Sequence, residues 1–282
     1  MTEHHLRSSA GPGVVLEVAP ATAGWSSLDF SVLALDTGMS RDLQTGDREV
    51  AIVPLEGRVS VDVGATTYEL ARSSVFAEMP QVLYLPPGQG IRLVAASRAE
   101  IAVGGAAADG RYPVRLFTPH EMRSEVRGGG GARRQVNHIL AHPLPAERLI
   151  LYEVYVPRGG WSGWPPHCHD GYAGSPYLEE TYYFRLDPAD GWAVHRNYRV
   201  DTEFDETFAV RDRDVVCVTQ GFHSSAAAPG CHMYFLNYLA GELVDDDRRI
   251  PPFFQPEYRW IDGNWDQDAM TLPTVTPEGA RR

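Results

Sequence analysis

The feature that most restricts the fold is a rhythm of short β-branched and aromatic runs, each closed by Gly or Pro. Runs 50–53, 59–63, 150–156 and 214–218 have this character, and 27 Gly and 21 Pro are scattered along the chain, not clustered. Close-set short strands with turn signals between them belong to antiparallel sandwiches and barrels. Helical signals are confined to two brief, Pro-flanked stretches, 119–125 and 141–147. The expected fold class is therefore all-β. With 282 residues the chain holds one large or two ordinary domains, and needs no disulfide or structural metal to fold.

The rhythm also repeats. The run 82–85 with Gly88, Gly90 and then 101–103 resembles the run 215–218 with Gly221, His223 and then 233–236. Laying Gly88 on Gly221 sets Gly90 against His223. Two similar β-units follow, with a metal-type residue kept only in the second. Gly128–Gly131 between them is a flexible connector or a loop that lets a ligand approach. The expected division is a first unit at 1–120, a Gly-rich connector at 121–135, a second unit at 136–245, and a Pro-rich tail at 246–282. That tail wraps the surface or frays.

Charge narrows the partners. Asp and Glu number 37 against 25 Lys and Arg, a formal charge of −12. Such a surface repels phosphate backbones and anionic lipid, so neither nucleic acid nor membrane is expected as a partner. An anionic substrate then needs a local basic pocket. No apolar run approaches the roughly 18 residues of a membrane span. The first thirteen residues carry no apolar signal core. Cys168, Cys217 and Cys231 are an odd set without CxxC spacing, which points to free thiols and a cytoplasmic protein.

The chemistry is concentrated in 160–184. On a strand, His167 and His169 face one side and Cys168 the other. A Glu opening the next strand, Glu179 or Glu180, and His223 on a later strand complete three imidazoles and one carboxylate. That set suits a divalent first-row metal and leaves positions open for substrate oxygens.

At these residues the sequence resembles the cupins, whose first motif carries HxH and a following Glu and whose second adds a His. More closely it resembles the 5-deoxy-glucuronate isomerases of myo-inositol breakdown. The matching blocks are 125–128 with 134–136, Pro165–Asp170, Leu178–Tyr183, Asp205–Thr207 and Gly221–His223 through 236–241. Weaker similarity runs through 38–41 and 54–57. The resemblance implies a bicupin, two antiparallel β-barrel or jelly-roll units with metal in the second only. It implies His167, His169, Glu180 and His223 as ligands, Glu180 being favoured by its place before Thr181–Phe184. Zinc ranks first as the metal, with manganese, iron or nickel as alternatives. Cys168 and Phe184 depart from the relatives' usual residues.

The implied reaction is an aldose–ketose isomerisation of 5-deoxy-D-glucuronate to 5-dehydro-2-deoxy-D-gluconate. Proton transfer through an enediol and a metal-assisted hydride shift are both open. Tyr182 and Glu206 are the candidate catalytic groups, with Glu180 a further base if it leaves the metal. Arg134, Arg196 and Tyr198 are candidates for binding the substrate carboxylate. The related uronate ketol-isomerases of pectin breakdown, an Fe(II) cupin dioxygenase and a non-catalytic sugar-binding cupin are the rival readings. Exposed cupin sheets also favour a homo-oligomer.

Overall fold

The computed structural model describes residues 3–267, 270, 275–276 and 279–280. Ten strands come first: β1 (His5–Arg7), β2 (Gly13–Val18), β3 (Leu28–Leu35), β4 (Ser40–Gln44), β5 (Arg48–Val63), β6 (Thr66–Arg72), β7 (Val82–Leu85), β8 (Gly90–Ala95), β9 (Ala99–Ala107) and β10 (Arg115–Phe117). Then follow β11 (Arg123–Arg127), β12 (Arg134–Leu140), β13 (Ile150–Val156), β14 (Trp161–Cys168), β15 (Leu178–Asp187) and β16 (Ala193–Tyr198). β17 (Asp205–Val210), β18 (Asp214–Val218), β19 (Phe222–Ala227), β20 (His232–Gly241) and the short β21 (Phe253–Phe254) complete the set that matters for the site. The fold is all-β, with antiparallel ladders throughout its centre.

Two β-units are present. In the first, β10-β7-β5-β9-β3-β2 form the main sheet, and β4, β6 and β8 complete it. In the second, β1-β18-β15-β20-β13-β12-β11 face the sheet β17-β16-β19-β14-β21. The sequence repeat has a physical counterpart. Gly88 and Gly221 both have positive φ, 81° and 82°, and each lies three residues beyond its strand, β7 or β18. The two runs 50–53 and 59–63, read as separate strands, are one. β5 continues through a register irregularity between Pro54 and Glu56. Gly57, at φ 89°, there lets the backbone pass where a Cβ would lie 2.1 Å from the Arg98 carbonyl.

Four apolar clusters fill the layers among the described residues, three of them large and a small fourth around Ile150, Leu178 and Leu239. Val50, Ile52, Val59, Val61 and their neighbours pack the first barrel. Phe184, Val216, Met233 and Phe235 belong to the cluster inside the second. The largest lies between the units and joins Phe30, Val53 and Tyr84 to Tyr183, Tyr234 and Tyr238. Buried charges fasten that interface reciprocally. Glu179 of β15 accepts backbone N–H bonds from Ser26, Ser27 and Leu28 at 2.7–2.8 Å. Glu49 of β5 accepts them from Glu147, Arg148 and Leu149 at 2.6–2.8 Å. Arg72 also meets Glu153 in a fully buried pair at 2.6 Å.

Several expectations need correction. β1 lies at the start of the chain yet pairs with β18, so it belongs to the second sheet. The stretch 121–135 is not a free connector: Arg123–Arg127 pairs with β12, and a 3-10 turn spans Gly130–Ala132. Of the two helical stretches, only a 3-10 turn at Pro119–Glu121 forms, with a Thr118–Glu121 capping box. The segment 141–147 is irregular, since Pro143 and Pro145 cannot donate to a helix. The tail does not fray over its described part. β21 pairs with β14, and a 3-10 helix follows at Pro256–Gly263. Residues 268–269, 271–274, 277–278 and 281–282 lie outside the described residues.

Candidate metal centre

The two facing sheets of the second unit each supply part of the site. β14 and β19 are neighbours, and their register sets His167 opposite His223. His169 follows just after β14. The three rings have one ligand atom each within 4.8 Å of the others. Glu180 enters from β15, its Oε2 3.0 Å from His169 Nε2 and 3.3 Å from His223 Nε2. Strand alternation decides between the two adjacent glutamates: Glu179 points into the interface between units, and Glu180 points to the histidines. The structure thus brings together His167, His169, Glu180 and His223.

The rings are prepared for a cation. His169 Nδ1 faces the Leu178 carbonyl at 2.8 Å, which fixes that nitrogen as the donor and directs Nε2 inward. His223 Nε2 is buried and, among the described residues, makes no hydrogen bond of good geometry, its nearest carboxylate oxygen being Glu180 Oε2 at 3.3 Å. A divalent metal supplies the partner that this nitrogen lacks, so the donor set fits one. Burial, with the neighbouring His223 and His169, holds His167 well below its usual pKa and so neutral, the form that ligates. Burial raises Glu180, but the hydrogen bond with His169 and the closeness of His223 outweigh it and bring the carboxyl down to about 2. Asp170 braces the loops on either side. It accepts from Gly221 N and Arg199, each at 2.7 Å, tying the end of β14 to the start of β19.

The centre opens into a cavity of about 810 Å³, mouth included. Tyr182, Arg134 and Asn237 line it, together with apolar Val136, Leu239 and Ile250. Burial, then the charge of Glu180, raises the Tyr182 phenol well above its usual range, so it stays protonated. Arg134 stands on β12, three strands from Glu180 across the sheet.

The remaining candidates lie elsewhere. Arg196 is exposed and doubly bonded to Asp205 at 2.9 and 2.6 Å. Tyr198 hydrogen-bonds Gln255 at 2.5 Å and lies under Arg196. Both sit on the outward parity of β16, and neither lines the cavity. The inward parity carries two residues that sequence reasoning missed, buried His195 and Asn197, linked at 2.7 Å. His195 packs between Tyr182 and His223, 4.7 and 6.3 Å between ring centroids. Glu206 is bonded to His4 at 2.7 Å and is likewise absent from the cavity.

The tail was also missed as a wall. Phe254 packs on His167 at 5.7 Å, Ile250 and Pro252 line the cavity, and Tyr258 meets Trp164 at 5.0 Å. The glycine run serves this segment: a Cβ on Gly129 would fall 2.5 Å from Trp265 Cβ. The close approach expected of that run is made by the chain's own tail. Cys168, Cys217 and Cys231 are free and buried, and burial pushes the Cys168 thiol up to about 12, so it is inert.

A family model described as KduI/IolB matches residues 1–261. The chain belongs to the KduI/IolB family. Proteins named 5-deoxy-glucuronate isomerase are similar to this family member over most of their length. That of Geobacillus kaustophilus is 38% identical over 254 residues, 88% of this chain and 91% of its own. That of Bacillus subtilis strain 168 is 32% identical over 259 residues, 90% of this chain and 94% of its own. Among solved structures, an IolB-like protein from Salmonella typhimurium LT2 superposes with a TM-score of 0.87 at 34% identity. That match covers 93% of this chain and all of the other. An oxalate decarboxylase mutant from Bacillus subtilis matches at 0.60 and 12% identity, over 85% and 77% of the two chains, which bears on the bicupin fold alone.

Proposed function

We propose that this chain is a metal-dependent aldose–ketose isomerase of myo-inositol breakdown. It converts 5-deoxy-D-glucuronate to 5-dehydro-2-deoxy-D-gluconate. The observation that carries this reading is a trio of histidines, His169 and His223 buried and His167 half-buried, set with Glu180 and opening on a cavity whose lining also holds Arg134. The substrate is the one named for relatives at 32–38% identity. His167, His169, Glu180 and His223 would hold a divalent cation, zinc first, which supplies Lewis acidity to an adjoining carbonyl and hydroxyl.

This chain's own groups do the rest. Arg134 binds the substrate carboxylate and so orients the sugar. Tyr182, protonated and on the same wall as Glu180, donates a hydrogen bond to a sugar oxygen. Val136, Leu239, Ile250 and Pro252 keep water from the reacting carbons. The test is turnover of 5-deoxy-D-glucuronate before and after chelation, with metal content measured in parallel. Loss of activity on chelation and return with one added metal is expected. Full activity in stripped protein would overturn the metal role. Faster turnover of the pectin-derived 5-keto-4-deoxyuronate would overturn the substrate.

A further inference from the structure

Two arginines face each other where a folded chain alone gains nothing from the pairing. In the β11–β12 ladder Arg127 is the direct cross-strand partner of Arg134, an arrangement that is unfavourable for like charges. Both line the cavity beside the histidines, and both line the wider mouth outside it. Their neutralisation is incomplete. Glu125 pairs with Arg127, but it also serves Arg123 and His138. Arg134 bonds the Ala132 carbonyl at 3.1 Å and, among the described residues, meets no carboxylate within ion-pair distance. Space has been kept for it. A Cβ on Gly128, whose φ is 71°, would lie 2.7 Å from Arg134 Nη1. Burial, then the neighbouring Arg127, brings the Arg134 guanidinium down to about 10, as expected for a cation short of counter-charge.

We propose that Arg127 and Arg134 form a two-pronged carboxylate site that selects sugar acids over neutral sugars, Arg127 being the specificity residue that sequence reasoning did not find. The inference rests on the sugar-acid reading of the cavity. It adds that an acid supplies the missing counter-charge and relieves the repulsion across the ladder. Planar guanidinium forks suit the two carboxylate oxygens, and a hydroxymethyl group offers them no charge.

The test is calorimetric titration of the purified, chelated chain with D-gluconate, and with D-glucitol as the neutral control. Wild type should take gluconate in preference to glucitol. Arg127→Gln and Arg134→Gln should each weaken gluconate about 10- to 100-fold and leave glucitol unchanged. Arg134→Lys should recover part of the loss. Ligand-free melting temperature is the second readout, and it should hold or rise slightly in Arg127→Gln, because removal of the like-charge contact offsets loss of the exposed ion pair with Glu125. Equal binding of gluconate and glucitol by wild type would overturn the proposal. So would unchanged gluconate binding in both Gln variants, or a fall of several degrees in ligand-free Arg127→Gln. Preferential gluconate binding without any isomerase turnover would leave this site standing and remove the isomerase reading instead.

Discussion

A buried imidazole nitrogen without a well-formed hydrogen bond is costly, because its desolvation is not repaid. His223 carries that cost, and its neighbours His167, His169 and Glu180 are arranged so that one cation repays it. His223→Ala should therefore lose bound metal by more than the 10- to 100-fold that loss of an outer partner costs. Elemental analysis after dialysis checks this. His195 gives the clearest pH dependence. Burial, then the nearby His223, depresses its pKa to about 3, whereas the unfolded side chain titrates near 6.5. The unfolded state therefore takes the proton first, and stability is complete above about pH 6.5 and declines toward pH 3. In chelated protein, His195→Gln should flatten this slope by up to about 1.4 kcal/mol per pH unit, read from denaturant melts across pH 4–7. The choice of Glu180 over Glu179 came from the family resemblance, whereas sequence spacing brought His167, His169 and His223 forward as candidates, since HxH parity and a later His are local signals. It failed for Arg196 and Tyr198 because the parity of β16 was taken on the wrong side. One step along the strand lie His195 and Asn197, which face in.

Strand-forming runs were readable because β-branched residues between glycines and prolines leave few alternatives. What the runs could not convey was continuity through a bulge, as in β5, or pairing over long separations, as between β21 and β14. The tail illustrates the loss. Its prolines and charges read as surface, yet Phe254 sits against His167 and Gly129 yields room to Trp265. Gly129→Ala should displace that segment and lower kcat/KM, whereas Gly131→Ala, with open space around its added Cβ, should leave it near wild type. Similar activity in the two variants would refute the coupling. Phe254→Ala should cost about 1–2 kcal/mol, less than the 3–5 of a fully buried Phe, and should also weaken metal retention. A denaturant melt and a chelator competition measure the two effects separately.

Across the two units, the same scaffold has been used in two ways. β5 and β15 hold corresponding central places in their sheets, each carrying an interface glutamate, Glu49 or Glu179. The first barrel continues with Val50 and Ile52, and the second with Glu180 and Tyr182. Apolar filling in one and a polar cavity in the other follow from those substitutions, and the repeat around Gly88 and Gly221 already hinted at it. Glu179→Gln, which leaves the Ser26, Ser27 and Leu28 N–H groups sharing one poorer acceptor, should cost roughly 2–4 kcal/mol, measured by denaturant melts of chelated protein. The reciprocal glutamates have a consequence for ancestry and for engineering. Each barrel's loop amides are quenched by an acid that the sister barrel provides, so neither lobe is chemically finished alone. Drift in one lobe is then answerable to the other, and a chain split between them should recover its shape only when both fragments are mixed.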